Sequence, residues 1–227
     1  MKRWSLFFLC LLSASLFFAL GVWQLERRVW KLALIDRVET RIHAPPSLLP
    51  PSRDWTTVNP EQDEYRRVKL RGRYLYSGET LVDALTVRGH GAWVLTPLAT
   101  STGLVLVNRG FVPSDAVEKE NRPSGDVTVV GLLRISEPEG RFLRPNQPLL
   151  GKWFSRDVAA IAAARHLGIV APFFVDAEAS GTQGYPVGGL TVVQFRNMHL
   201  FYAVTWFALA VMSGCGAWLV ARPGRNA

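Results

Sequence analysis

Two stretches of the chain carry no charge, Trp4 to Leu25 (22 positions) and His199 to Ala221. Some twenty apolar residues at 1.5 Å each cover roughly the 30 Å of a bilayer's hydrocarbon layer, so both predict membrane-spanning helices. Lys2-Arg3 and Glu26-Arg27-Arg28 bracket the first, and Arg222 closes the second. Trp4, Trp23 and Trp218 fall at the expected ends, where amphipathic rings favour the headgroup layer. The first stretch exceeds a signal peptide's apolar core of about 7–15 residues, and no clear small-x-small site follows it, which predicts a retained span. From Gln24 to about Arg41 the chain lacks Gly and Pro and spaces Leu25, Val29, Leu32, Ile35 and Val38 near helical period. The helix is expected to leave the membrane and to stop at Ala44-Pro45-Pro46. Residues 45–60 hold five prolines and read as a linker.

From Tyr65 the period becomes two. Val68, Leu70, Tyr74 and Tyr76 alternate with Arg67, Lys69, Arg71 and Arg73, the pattern of a strand with a basic outer face. That stripe suits an acidic partner, lipid headgroups or haem propionates, but also plain solvation. Further strands are expected at Thr80–Val87, Ala92–Leu98, Leu104–Val112, Val127–Ile135, Pro172–Asp176 and Leu190–Phe195, with turns at Gly89-His90-Gly91 and Ser101-Thr102-Gly103. One helix is expected from Asp157 to about Leu167, closed by Gly168. The fold class is therefore membrane α+β: two transmembrane helices flanking a mainly antiparallel, barrel- or sandwich-like domain with one helix. The divisions are 1–25 (cytoplasmic start and first span), 26–198 (extramembrane domain), 199–221 (second span) and 222–227 (tail).

The chain has 227 residues, a mean hydropathy of +0.12 and a net charge of +8. This excludes disorder, and two cysteines exclude a disulfide scaffold. All 18 acidic residues lie between Glu26 and Glu178, while the tails hold only Lys2, Arg3, Arg222 and Arg225. Short basic tails favour the cytoplasm, which places the central segment in the periplasm of a bacterial inner membrane. That segment's excess of four positive charges is too weak to imply nucleic acid. Cys10 and Cys215 fall at similar depth in the two spans, as a thiol or metal pair or as small packing residues.

No G-x-S-x-G, H-E-x-x-H, C-x-x-C or phosphate-binding Gly loop is present, and the four histidines are scattered, so an enzyme is not expected. His199 stands out because it opens the second span, where ionisable groups are costly and tend to be functional. On a helix Tyr202, Ala203 and Trp206 share its face. An imidazole with flat aromatics suits haem iron, and Arg196, one turn earlier, can pair with a propionate. The plain alternative is a boundary histidine reaching for the headgroups.

Longer motifs carry a resemblance. Gly21-Val22-Trp23-Gln24-Leu25-Glu26-Arg27-Arg28-Val29-Trp30-Lys31, Thr96-Pro97-Leu98, Leu106 to Pro113 (with Asn108-Arg109-Gly110), Asn146…Trp153…Arg156-Asp157, and Asn197-Met198-His199 through Tyr202-Ala203 to Thr205-Trp206-Phe207 occur in that order. They resemble the surfeit-locus (Surf) family of cytochrome c oxidase assembly factors. A second Asn often stands in the family where this chain has Met198. The resemblance implies a role in haem a insertion into the catalytic subunit of the oxidase. It implies haem a as a transient cofactor with His199 as axial ligand of its iron; the reading of the helix face adds Arg196, Tyr202 and Trp206 around it. The implied partners are the oxidase catalytic subunit, haem a synthase and membrane lipids, not nucleic acid. A cofactor-free scaffold that holds a nascent oxidase subunit through small residues such as Ala210, Gly214 and Ala217 is the competing reading. A membrane-bound enzyme acting on a lipid or quinone is a third. No ligand role is assigned to Arg109 or Asn146.

Overall fold

The computed structural model describes residues 2–117, 120–141, 143–179, 184–191, 193, 195 and 197–222. Residues divide into two compact units, one of 38–192 and one combining 1–37 with 193–227.

The first unit is a seven-stranded sheet: β1 (Ser47–Leu48), β2 (Arg67–Tyr74), β3 (Thr80–Thr86), β4 (Gly89–Thr100), β5 (Gly103–Pro113), β6 (Asp126–Ile135) and β7 (Val170–Ala177). Its order is β1-β2-β6-β7-β5-β4-β3, and β2 pairs again with β4, so β2, β6, β7, β5 and β4 close into a barrel. Closure falls on Gly72, which pairs with Val127 on one side and Thr100 on the other. A Cβ there would sit 2.1 Å from the Ala99 carbonyl oxygen, so only glycine lets the strands meet. Most pairings are antiparallel as expected, while β5–β7 and β1–β2 run parallel.

Period two sorts the side chains. Val68, Leu70, Leu98, Val105, Val107, Val129, Leu133, Phe173 and Val175 fill one cluster. Leu95, Leu106 and Phe174, on the opposite face, pack with Trp153 and with Val158 and Ile161 of helix α3 (Val158–Ala164). β5 is thus covered on both faces, the reason its sequence is almost unbroken apolar. Asp157 caps α3 by accepting from Ala160 N at 3.1 Å.

Three expectations are corrected. The proline-rich stretch 45–60 is not a bare linker: it forms β1, a 3₁₀ turn at Ser52–Thr57 and a short helix, Pro60–Asp63. Trp55 is buried there, edge-on to Phe173 at 6.1 Å, and donates from Nε1 to the Pro50 carbonyl. Gly89–Gly91 begins β4 instead of forming a turn, which lies at Val87-Arg88. A Cβ on Gly91 would strike the Val112 carbonyl at 2.2 Å, so this glycine serves strand contact. Finally, the described residues of Leu190–Phe195 form no strand. β7 is already paired on both edges, by β5 and β6, and offers no place for one.

In the second unit, α1 (Lys2–His43, whose last turns belong to the first unit) and α4 (His199–Ala221) are long and apolar enough to cross a membrane. They pair antiparallel. Arg3 donates to the carbonyls of Val220 and Arg222, closing the open end of α4. A Cβ on Gly216 would lie 3.6 Å from Cys10 Sγ, Phe17 stacks on Trp206 at 5.6 Å, and Phe18 meets Phe207. Both cysteines are free thiols. The protected positions of α1 (Phe7, Cys10, Ala14, Phe17, Gly21, Gln24) and of α4 (His199, Ala203, Trp206, Ala210, Ser213, Ala217) recur at alternating three- and four-residue steps. That is the spacing of a helix–helix seam. Small residues let the backbones approach: Ala203 is 1% exposed, and a Cβ on Gly21 would sit 2.5 Å from the Phe207 ring. Ser15 and Thr205 return their hydroxyls to carbonyls four residues back, so neither presents an unpaired donor to lipid.

Candidate functional site

His199, at the first turn of α4, faces the seam and is half-buried. Its Nδ1 lies 2.7 Å from Gln24 Oε1. An amide oxygen accepts, so the bond selects the tautomer with its proton on Nδ1, in which Nε2 carries the lone pair. Among the described residues Nε2 takes no hydrogen bond. This is the arrangement of a metal-ligating histidine whose other nitrogen is held by a neighbour. Two residues earlier, Asn197 Oδ1 is buried without a hydrogen-bond partner. Buried polar atoms left unpaired are uncommon in folded proteins.

The other expected site residues are distributed unevenly. Ala203 and Trp206 lie on the His199 side of α4, but Trp206 spends its face on Phe17. Tyr202 is 50% exposed and edge-on to Phe201, leaving one flank of His199 open. Arg196 lies outside the described residues. Gln24 and, beyond the uncharged segment, Arg28 and Lys31 continue the α1 stripe, all half-buried. Lys31 Nζ lies 4.9 Å from the ring of Phe195. Sequence reasoning missed these three as site residues. The signal was a seven-residue spacing, Phe17 to Gln24 to Lys31 and Gly21 to Arg28, along the helical stripe that opposes α4. The donor set fits a haem: one neutral imidazole nitrogen at the boundary, an exposed aromatic beside it, and cations one and two turns nearer the polar end.

The remaining motif residues build the β unit. Asp176, 3% exposed, accepts from Asn108 Nδ2 (2.8 Å), Arg134 Nη1 (3.0 Å), Arg156 Nη1 (3.1 Å) and Thr191 Oγ1 (3.0 Å). Burial pushes the Glu137 carboxyl up, but the hydrogen bond and charge of Arg156 outweigh it and hold the group below the usual range. Arg109, also buried, pairs with Glu120 and Glu79, donates to the Asn121 carbonyl and lies over the rings of Tyr74 and Tyr76. Burial raises Glu120, with Arg109 opposing, and lifts the Tyr74 phenol to about 12. Asn146 Oδ1 accepts from the backbone N–H of Phe154 and Ser155. Arg109 and Asn146 are thus structural clamps. The basic stripe is largely spoken for: Arg67 forms a two-pronged pair with Glu178, and Arg71 and Arg73 flank Asp126.

One constellation escaped the sequence. Asp83 Oδ1 lies 2.9 Å from His90 Nε2, and His90 Nδ1 3.2 Å from Ser114 Oγ. The order matches a nucleophile triad, but His90 is 65% exposed and Asp83 is shared with Arg141 and Arg144. In open water such a chain does not activate serine. Among the described residues no group of three His, Cys, Asp or Glu can hold a metal ion.

Known proteins agree with the motifs. The SURF1 family model matches residues 11–211. Surfeit locus protein 1 of Rattus norvegicus is 38% identical over 214 residues, 85% of this chain and 68% of its own. The Homo sapiens protein of that name is 38% identical over 85% of this chain and 70% of its own. A SURF1-like protein of Caenorhabditis elegans is 31% identical over 93% of this chain and 72% of its own. With the match extending from the first apolar helix into the last, the chain belongs to the SURF1 family.

Proposed function

We propose that this chain is an assembly factor for cytochrome c oxidase that holds haem a at the polar end of its helix pair and passes it to the catalytic subunit. The observation that carries this reading is the Gln24–His199 bond, which fixes a lone pair on Nε2 at the boundary of an apolar helix. Bound haem would supply the iron that this nitrogen ligates. Gln24 sets the tautomer and the ring plane; Arg28, Lys31 and Arg196 supply charge for the propionates. Tyr202, on the open flank, covers one face of the macrocycle. A site between helices with a lipid-facing flank keeps the isoprenoid tail in hydrocarbon, and the open side gives the oxidase subunit access. Both termini face the cytoplasm of a bacterial inner membrane and the β unit faces the periplasm, as the basic tails favour. Haem a synthase is the expected donor.

The test is a pyridine haemochrome spectrum of detergent-purified protein from a host that makes haem a. The reading expects a Soret band that His199→Ala removes and Gln24→Leu weakens. Folded protein that emerges colourless, or a band indifferent to His199→Ala, would refute it.

A further inference from the structure

Three loops of the β unit converge on Asp83. His90, the cross-strand partner of Leu85, reaches its Oδ1. Arg141 donates to its carbonyl at 3.1 Å, and Arg141 and Arg144 approach Oδ2 at 3.6 and 3.9 Å. Its own N–H donates to the Trp153 carbonyl, beside the paired stem of Gln147 and Lys152. These bonds gather the β3–β4 tip, the 141–144 turn and the 147–152 hairpin at one place. On the three tips stand Leu85, Val87, Leu143, Leu149 and Leu150, between 68% and 100% exposed. Single exposed apolar side chains are ordinary; five on adjoining tips are not. Around them lie Arg88, Arg141, Arg144 and Lys152, all exposed, against Asp83, already engaged, and Asp115.

We propose that this end of the β unit docks on the surface of an anionic lipid bilayer, its five apolar side chains entering the headgroup layer and its four cations meeting phosphates. Apolar side chains ringed by Arg and Lys are the composition that such an interface selects. A lipid surface is favoured over a protein because the same chain carries two helices apolar enough to enter a membrane, which holds bilayer at high effective concentration.

The test uses the full chain in nanodiscs, with Cys10→Ser and Cys215→Ser removing the native thiols and Leu149→Cys carrying an environment-sensitive fluorophore. In discs of equal parts phosphatidylcholine and phosphatidylglycerol, emission shifts to the blue and doxyl-lipid quenches it. Iodide quenching falls by about threefold or more relative to phosphatidylcholine alone. Arg88→Glu with Arg144→Glu abolishes the difference, and a label at Ile169→Cys, another exposed apolar site, stays open to iodide. Equal iodide quenching in both discs, or protection of the Ile169 position as well, overturns the proposal. So does protection that arises only when solubilised oxidase is added, which would assign the patch to a protein partner.

Discussion

The β unit and the helix pair treat polar groups in opposite ways. In the first, buried charges are many and most are answered: Asp176 accepts from four side chains, and Arg109 meets two carboxylates and a carbonyl, while among the described residues Arg66 Nε alone is buried without a partner, its guanidinium still paired with Asp63 through Nη1. In the second, polar side chains in the seam are few, yet one imidazole nitrogen and one amide oxygen have no described partner. Saturation makes a group a strut. An unspent lone pair makes it available to a ligand. The long motifs in the middle of the chain therefore build struts, and the motifs at its ends keep polar atoms unspent.

The sharpest way to break this contrast is Arg109→Met. It strands Glu79 and Glu120 in the interior, and a broken buried pair costs about 3–5 kcal/mol, so the β unit should melt far earlier by near-UV circular dichroism. Survival with unchanged melting would mean that Arg122, which also reaches Glu79, suffices. Next in size is alkaline loss of stability. Unfolded tyrosine ionises near 10 and Tyr74 near 12, so the folded state keeps a proton that the unfolded state releases between those values. Stability should fall as pH rises from 10 to 12, by about 2 kcal/mol at 1.36 kcal/mol per unit. Tyr74→Phe should flatten that slope in denaturant titrations at each pH. Asn146→Ala should cost about 1–3 kcal/mol, by leaving the N–H groups of Phe154 and Ser155 without their acceptor. In the helix pair Gly21→Leu displaces the Phe207 ring, and its readout is binding instead of melting: haem retention should drop while the β unit keeps its transition. At the bottom of the scale, Arg71→Ala should change stability by less than about 0.5 kcal/mol, since its pair with Asp126 is exposed.

Much of the fold is local and so was readable. Charge-free runs mark α1 and α4, period two marks β2, and short apolar runs mark β3 and β6, because those signals need only neighbouring residues. The strand expected at Leu190–Phe195 is absent from the described residues of that segment: the adjoining strand β7 is paired on both sides, which no local pattern announces. Trp55 was hidden in prolines for a similar reason: what buries it is Phe173, more than a hundred positions away. The site divides likewise. His199 is conspicuous as an imidazole opening an apolar run. Gln24 gained a role only when α4 was laid against α1, and Trp206 proved to be committed to Phe17.

Residues 24 and 199 are 175 positions apart, yet the proton on His199 is steered by Gln24. A ribosome releases the first of these long before the second exists. Any nascent or truncated chain lacking its final helix therefore has no oriented imidazole to offer, however well its barrel has closed. The long separation acts as a completeness check: under the proposed function only a finished molecule would take up pigment, and none would be stranded on half-made protein.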